Sequence, residues 1–120
     1  MNKEILVVDD QPGIQLLLKD VLINEGYNVT TAKTGQEALD HLYRHPFDLI
    51  ILDYRLPVID GAQVLKQLEM DGIHIPSILM SGLIEGLEID MKSYRFVKEV
   101  VAKPFNVLEF CEMVKSILDS

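Results

Sequence analysis

Short apolar segments that alternate with segments of helical period constrain the fold of this chain more than any other feature. Five of them, rich in β-branched residues, lie at 5–8, 28–31, 49–52, 77–80 and 100–102. The first and third are apolar at every position, which is typical of parallel strands buried on both faces. Strand–helix alternation repeated in this way predicts an α/β fold, with a parallel sheet covered by helices on both faces and right-handed crossovers.

The first and last helices are predicted from their boundaries and their apolar faces. The first begins near Pro12, a residue favoured in a first helical turn, and stops near Gly26, which suits a left-handed cap. The last follows Asn106 as its cap. The residues predicted to face the core are Ile14, Leu17, Leu18, Val21 and Leu22 in the first helix, and Leu108, Phe110, Cys111, Val114, Ile117 and Leu118 in the last.

Three further helices are predicted between these two. Thr34 is the expected cap of the second helix, with Glu37 three residues on, and the third helix follows Asp60. The signal for a helix between 85 and 98 is weaker, because Gly86 interrupts it and polar residues are frequent there.

Composition bounds the class of protein. The chain has 120 residues, a length typical of one domain, and we expect residues 1–120 to form a single domain. Its 11 basic and 19 acidic residues give a net charge of -8, which argues against nucleic acid and anionic membranes as direct partners. No apolar run approaches the roughly 20 residues that span a bilayer. The single cysteine, Cys111, favours a reducing, cytoplasmic location.

Charged and polar residues end four of the five predicted strands. Asp9 and Asp10 follow the first strand, Asp53 the third, Ser81 the fourth and Lys103 the fifth. The carboxyl ends of parallel strands lie at one edge of a sheet, where ligands bind at the switch point in strand order. Clustered carboxylates repel one another unless a cation intervenes, and oxygen ligands without His or Cys suit Mg²⁺ or Mn²⁺.

Together, these groups suit phosphoryl transfer. One carboxylate could attack phosphorus and form an acyl phosphate, while a divalent ion neutralises charge. Lys103 could pair first with that carboxylate and then with the phosphate, and Ser81 could donate a hydrogen bond to a phosphate oxygen. Taken singly, each group also has a plainer interpretation: Asp9 and Asp10 as helix caps, Asp53 as a loop acid and Lys103 as a solvated side chain.

Five motifs, in this order, resemble the response-regulator receiver domains of bacterial two-component systems. They are ILVVDDQ at 5–11, DLIILD at 48–53, LPVIDG at 56–61, MSG at 80–82 and AKPF at 102–105. The resemblance extends from Ile5 to Leu118. It implies the flavodoxin-like (CheY-like) fold, a three-layer sandwich with five helices and a five-stranded parallel sheet in the order 2-1-3-4-5.

The resemblance also implies a role for each residue at the strand ends. Asp53 would accept a phosphoryl group from a phosphohistidine, Ser81 would be the hydroxyl switch residue and Lys103 the lysine of the family pattern. The bond between Lys103 and Pro104 would be cis. Phosphorylation and dephosphorylation would be self-catalysed, so the domain would be a phosphoacceptor intermediate rather than a conventional turnover enzyme. The implied metal ligands are Asp9, Asp10, Asp53 and the backbone carbonyl of Arg55.

The partners that the resemblance implies are a sensor histidine kinase, a histidine phosphotransferase or both, with an aspartyl-phosphate phosphatase as a further candidate. They would bind transiently around the first helix and the loops beside Asp53. The residues predicted to contact them are Gln11, Pro12, Gly13, Ile14, Leu56, Pro57, Pro104 and Phe105.

Two features depart from the family pattern. Val100 stands three residues before Lys103, where the family usually has an aromatic residue, and the pair at 96–97 is Phe-Val rather than Gly-Ala. The segments at 9–14 and 25–27 are similar to those of stand-alone receivers in sporulation phosphorelays, which also lack Tyr or Phe at the position of Val100. This similarity favours a relay role.

Alternatives remain open at the level of sequence. The chain could be the receiver of a larger regulator whose output domain lies outside this sequence, or a receiver that only binds partners. A small aspartate-nucleophile phosphatase would have a second Asp two residues after the nucleophile, where this chain has Arg55. His41 and His45 have the spacing of a metal pair on a helix, although exposed polar residues are the commoner case.

Overall fold

The computed structural model describes residues 2–82 and 95–119. Five parallel strands form one sheet in the order β2-β1-β3-β4-β5. The strands are β1 (Glu4–Val8), β2 (Asn28–Ala32), β3 (Leu49–Asp53), β4 (Ser77–Ser81) and β5 (Val97–Ala102). The helices within the described residues are α1 (Pro12–Asn24), α2 (Gly35–Arg44), α3 (Gly61–Met70) and α4 (Val107–Asp119). The predicted α/β fold and its strand order are confirmed.

The fifth strand begins earlier than the sequence predicts. Positions 97 and 98, expected at the end of a helix, belong to β5, because Val97 is buried and pairs with Ser77 of β4. A register shift between Ser77 and Ile78 accommodates the longer strand. Positions 95 and 96 form a turn, and the rest of that predicted helix, 85–94, lies outside the described residues.

Apolar side chains on the two faces of the sheet form two core clusters. Leu6 and Ile50 pack with α2 and α3 on one face, whereas Ile5 and Ile51 pack with α1 and α4 on the other. Successive residues of a strand point to opposite faces, so β1 and β3 must be apolar throughout. The result is the predicted three-layer sandwich. No helix in the described part of the chain is long and apolar enough to cross a membrane.

Two helices bury narrower faces than the sequence predicts. In α1, Leu18 and Leu22 are buried but Leu17 is 41% exposed. In α4, Phe110 is buried but Leu108 is 76% exposed. With 3.6 residues per turn, Leu17 and Leu108 each lie about 120° from the centre of the buried stripe of their helix. Both expected core positions are therefore wrong, because apolar spacing alone makes the buried face too wide.

Side-chain caps fix the starts of three helices. The side chains of Thr34 and Asn106 accept hydrogen bonds from the backbone N–H groups three residues later, at 3.1 and 3.0 Å. Both predicted caps are confirmed. Asp60 and Gln63 form a reciprocal capping box with two bonds of 2.9 Å. This box fixes the start of α3 after the loop that follows β3.

The loop between β3 and α3 contains a strained residue. Val58 has a φ of 66° and is 99% exposed. A β-branched side chain rarely adopts this left-handed conformation. A hydrogen bond of 2.8 Å from the Ile59 N–H to the Pro57 carbonyl closes a three-residue turn around Val58. Because the side chain is exposed, its packing does not offset the strain.

Replacement of Val58 by glycine is expected to stabilise the protein by about 1 kcal/mol, because the strain released exceeds the added entropy of the unfolded chain. Urea unfolding measures this difference. Val58→Ala retains a Cβ and is the control, which should gain less. A Val58→Gly protein less stable than the wild type would contradict the argument.

Candidate active site

The carboxyl ends of four strands bring the predicted site residues together. Asp53 and Ser81 are the last residues of β3 and β4, Asp9 follows β1 and Lys103 follows β5. The edge they share includes the switch point between β1 and β3. Asp9, Asp53 and Ser81 are buried, whereas Asp10 is exposed.

The ammonium of Lys103 joins the two buried carboxylates. Its Nζ donates to Asp9 Oδ2 at 2.9 Å and to Asp53 Oδ2 at 3.0 Å. Gln11 Oε1 lies 3.5 Å from the same nitrogen. The backbone N–H of Lys103 donates to the Ser81 carbonyl at 2.7 Å, which continues the pairing of β5 with β4. The single ammonium therefore offsets only one of the two negative charges.

Burial and charge act on the pKa values of this group in opposite directions. Burial raises the pKa of Asp53; the hydrogen bond from Lys103 partly offsets this, while the negative charge of Asp9 adds to it. Burial lowers the pKa of Lys103, but the hydrogen bonds and charges of Asp9 and Asp53 together outweigh it, so that the pKa is raised overall. The site thus keeps its ammonium charged and disfavours the ionised form of Asp53.

Three carboxylates at this edge fit a divalent metal ion. One oxygen each from Asp9, Asp10 and Asp53 lie within 4.8 Å of one another. These oxygens are hard ligands that suit Mg²⁺ better than zinc. Beside them is an open cleft of about 290 Å³ whose lining residues are Asp10, Gln11, Asp53, Arg55, Gly82 and Lys103.

Ser81 brings an unsatisfied hydroxyl to the site. Its Oγ is buried and has no hydrogen-bond partner in the described part of the chain. Most buried polar atoms in proteins are hydrogen-bonded, and an unsatisfied one costs about 1–3 kcal/mol. The Ser81 hydroxyl at the end of β4 is therefore a donor that a ligand at this edge could use.

Asp9 is held by a network that includes a residue absent from the sequence prediction. The Gln11 N–H donates to Asp9 Oδ1 at 2.8 Å, and the Asp9 N–H donates to the Ala32 carbonyl at 3.1 Å. The side-chain amide of Gln15 donates to the carbonyls of both Asp9 and Ala32 at 2.9 Å. The only sequence signal for Gln15 is a polar residue among the apolar positions of α1.

The backbone after Asp53 is confined by α3. A Cβ on Gly61 would lie 2.6 Å from the Asp53 carbonyl oxygen, so only glycine lets α3 begin this close to the end of β3. The Arg55 N–H makes a long hydrogen bond of 3.4 Å to Asp53 Oδ1. The role of the Arg55 carbonyl as a metal ligand stays a prediction.

The predicted partner surface is only partly exposed. Its exposed members are Gln11, Pro12, Gly13, Pro57 and Pro104, and the bond between Lys103 and Pro104 is cis. Ile14 and Phe105 are half-buried, and the Phe105 ring centre lies 4.9 Å from that of Phe110. Leu56 is buried in the core cluster beneath α2 and α3, so its side chain is not part of this surface.

The rings of the two histidines at the end of α2 are neighbours, with 6.3 Å between their centres. His45 has an extended backbone conformation after the last residue of α2, and its ring centre lies 4.6 Å from that of Phe47. No group of three or more possible metal ligands in the described part of the chain includes these histidines, and a metal pair there stays a prediction.

The chain belongs to the response regulator receiver domain family, whose sequence model matches residues 5–115. It is 36% identical to sporulation initiation phosphotransferase F of Bacillus subtilis, over 98% of this chain and 95% of that protein. It is 40% identical to the alkaline phosphatase synthesis transcriptional regulatory protein PhoP of Bacillus subtilis, over 98% of this chain and 49% of that protein. The chain spans about half the length of most of the curated relatives it matches.

Solved structures agree with this assignment. The response regulator TrrA of Thermotoga maritima, in complex with Mg²⁺-BeF, is 39% identical with a TM-score of 0.84, and the match covers 97% of this chain and 99% of that chain. The fold and the strand order of the structure are thus those of a CheY-like receiver.

Replacement of Ser81 by alanine is expected to stabilise the ligand-free protein by about 1 kcal/mol, because it removes a buried hydroxyl that has no partner in the described structure. Ser77→Ala is the matched control in urea unfolding. The Ser77 hydroxyl is also buried but donates to the Ile75 carbonyl at 3.0 Å, so this variant should be destabilised. Equal destabilisation of both variants would contradict the prediction.

Asp53→Asn is expected to stabilise the metal-free protein at neutral pH, and the gain should shrink as the pH falls. Burial raises the folded-state pKa of Asp53 above its unfolded value, so the wild type is stabilised by proton binding and loses that stability as the pH rises through the folded pKa. Urea unfolding in EDTA at neutral and acidic pH measures the difference.

The control for this pH dependence is Asp71→Asn. Hydrogen bonds from Tyr43 and Gln67 lower the pKa of Asp71, so the wild type should lose stability relative to this variant as the pH falls. The difference in the free energy of unfolding between variant and wild type should therefore increase with pH for Asp53→Asn and decrease with pH for Asp71→Asn. The same slope for both would contradict the account of Asp53.

Proposed function

We propose that this chain accepts a phosphoryl group on Asp53 from a phosphohistidine, in a Mg²⁺-dependent reaction, and relays it to or signals through a protein partner. The observation that carries the proposal is the Lys103 ammonium, 3.0 Å from Asp53 Oδ2 and 2.9 Å from Asp9 Oδ2. A lysine so placed neutralises the attacking carboxylate and then the phosphoryl group.

The reaction follows from these positions. A carboxylate oxygen of Asp53 attacks phosphorus, and an O–P bond forms as the P–N bond to the donor imidazole breaks. The product is an acyl phosphate. Lys103 then pairs with one phosphoryl oxygen. The Ser81 hydroxyl donates a hydrogen bond to another, since its Oγ has no partner in the described chain. Positioning and charge neutralisation supply the catalysis.

Asp9, Asp10 and Asp53 fit Mg²⁺ as a resident ion, because one oxygen from each lies within 4.8 Å of the others. The Arg55 carbonyl is a further proposed ligand. When bound, the ion neutralises the carboxylates and polarises the phosphoryl oxygens. The complex of the similar protein TrrA with Mg²⁺-BeF supports this assignment. Mn²⁺ prefers the same oxygen ligands, and we expect it to substitute.

A relay role is supported by the similarity to sporulation initiation phosphotransferase F, 95% of which this chain covers. The proposed donor is a sensor histidine kinase or a histidine phosphotransferase, the proposed acceptor is a histidine phosphotransferase, and an aspartyl-phosphate phosphatase is a further proposed partner. Single-domain organisation, a cytoplasmic location and the lack of direct binding to nucleic acid or membrane stay predictions.

The similarity to PhoP favours a second candidate, a receiver that controls the output domain of a longer transcriptional regulator. The chemistry at Asp53 would be the same, and only the destination of the signal would differ. A small aspartate-nucleophile phosphatase is not favoured, because the position two residues after Asp53 is Arg55.

Incubation with acetyl phosphate is expected to add one phosphoryl group, which intact-mass spectrometry detects as a single adduct. The adduct should require Mg²⁺ and be absent from Asp53→Asn. In Lys103→Gln, which lacks the ammonium, it should form at least roughly ten times more slowly than in the wild type.

Asp48→Asn is the control for this experiment, because Asp48 lies at the opposite end of β3 and binds the Glu4 N–H at 2.7 Å. It should accept the phosphoryl group like the wild type. Folded wild-type protein that forms no adduct with acetyl phosphate or with a phosphorylated histidine phosphotransferase would overturn the proposal. Transfer from Asp53 back to a histidine phosphotransferase would favour the relay role over the longer regulator.

A further inference from the structure

The side chain of Gln15 bridges the backbone at the ends of β1 and β2, next to Asp9 and Asp10. Gln15 lies near the start of α1 and is half-buried. Its Nε2 lies 2.9 Å from the carbonyl oxygen of Asp9 and 2.9 Å from that of Ala32. Both neighbours are acceptors, so the NH₂ end of the amide must face them, and each carbonyl takes one of its two hydrogens.

These two carbonyls lie where the pairing of β1 with β2 ends. Ala32 is the last residue of β2, and its carbonyl also accepts the Asp9 N–H at 3.1 Å. The Asp9 carbonyl belongs to the peptide group that joins Asp9 to Asp10. By binding it, Gln15 fixes the plane of the peptide group between the two adjacent acidic residues.

Asp10 depends on this peptide plane more than Asp9 does. The Asp9 carboxylate is held by Lys103 at 2.9 Å and by the Gln11 N–H at 2.8 Å. The Asp10 carboxylate is exposed and makes no hydrogen bond within the described residues. The point from which it can reach toward Asp9 and Asp53 therefore depends on the backbone that Gln15 holds.

We propose that Gln15 is a positioning residue for the metal site, which keeps the Asp10 carboxylate within reach of the ion bound by Asp9 and Asp53. The inference rests on the proposed Mg²⁺ binding at that site. Residues that orient metal ligands from outside the ligand set commonly change metal affinity by about 10–100-fold. Gln15 acts through the backbone, so the lower end of that range applies.

Gln15→Met tests the proposal, because it keeps the length of the side chain and removes both donors. Isothermal titration should give a Mg²⁺ Kd about tenfold higher than that of the wild type. The phosphorylation rate with acetyl phosphate should approach the wild-type value at saturating Mg²⁺, because Asp53 and Lys103 are unchanged. Gln36→Met is the matched control, since the Gln36 amide binds the exposed Asp40 on α2 at 3.1 Å. It should leave the Kd unchanged.

Unfolding experiments separate positioning from general structural support. If Gln15 positions Asp10, the stabilisation that saturating Mg²⁺ adds over EDTA should shrink in Gln15→Met and, to a smaller extent, in the shorter Gln15→Asn. Equal loss of stability with and without Mg²⁺, together with an unchanged Kd, would overturn the inference. Wild-type protein that does not bind Mg²⁺ would instead overturn the proposed function.

Discussion

Two carboxylates withdrawn from water at the ends of neighbouring strands are the constraint on which this structure depends. Burial of Asp9 and Asp53 is tolerable because the ammonium of Lys103 lies within 3.0 Å of both. Lys103 is 94 residues away from Asp9 in the chain, and its strand, β5, is separated from β3 by β4. The flexible lysine stem reaches both carboxylates only if β1, β3, β4 and β5 are paired in this order, so the ion pair depends on four of the five strands.

The same site carries features that oppose stability. One ammonium faces two carboxylates, the pKa of Asp53 is raised by burial, and the Ser81 hydroxyl is buried without a partner in the described structure. Val58 adds backbone strain in the loop that follows Asp53. Such costs concentrate at functional sites and persist because the surrounding fold outweighs them. Here the features that stabilise the fold are ordinary ones: two apolar clusters, three capped helices and a parallel sheet of five strands.

The sequence predicts most of this arrangement because strand ends in a parallel sheet share an edge, so a polar residue after each apolar segment predicts a site. It does not predict what depends on side-chain packing or on loop closure. Helical spacing gives the direction of a buried face but not its width, as Leu17 and Leu108 show. The start of β5 at Val97 depends on its pairing with β4. Gln15 binds the backbone carbonyls of Asp9 and Ala32, and a polar residue among the apolar positions of α1 is too weak a signal to predict those contacts.

The residue that carries the phosphoryl group is the most direct test of whether Asp53 is the phosphoryl acceptor. Borohydride reduces an aspartyl phosphate to homoserine, and peptide sequencing by mass spectrometry then identifies the modified position in protein treated with acetyl phosphate and Mg²⁺. We expect homoserine at position 53 and unmodified aspartate at positions 9 and 10. Homoserine at either of the latter positions, or a stable phosphoryl group on a serine or histidine instead, would contradict this expectation.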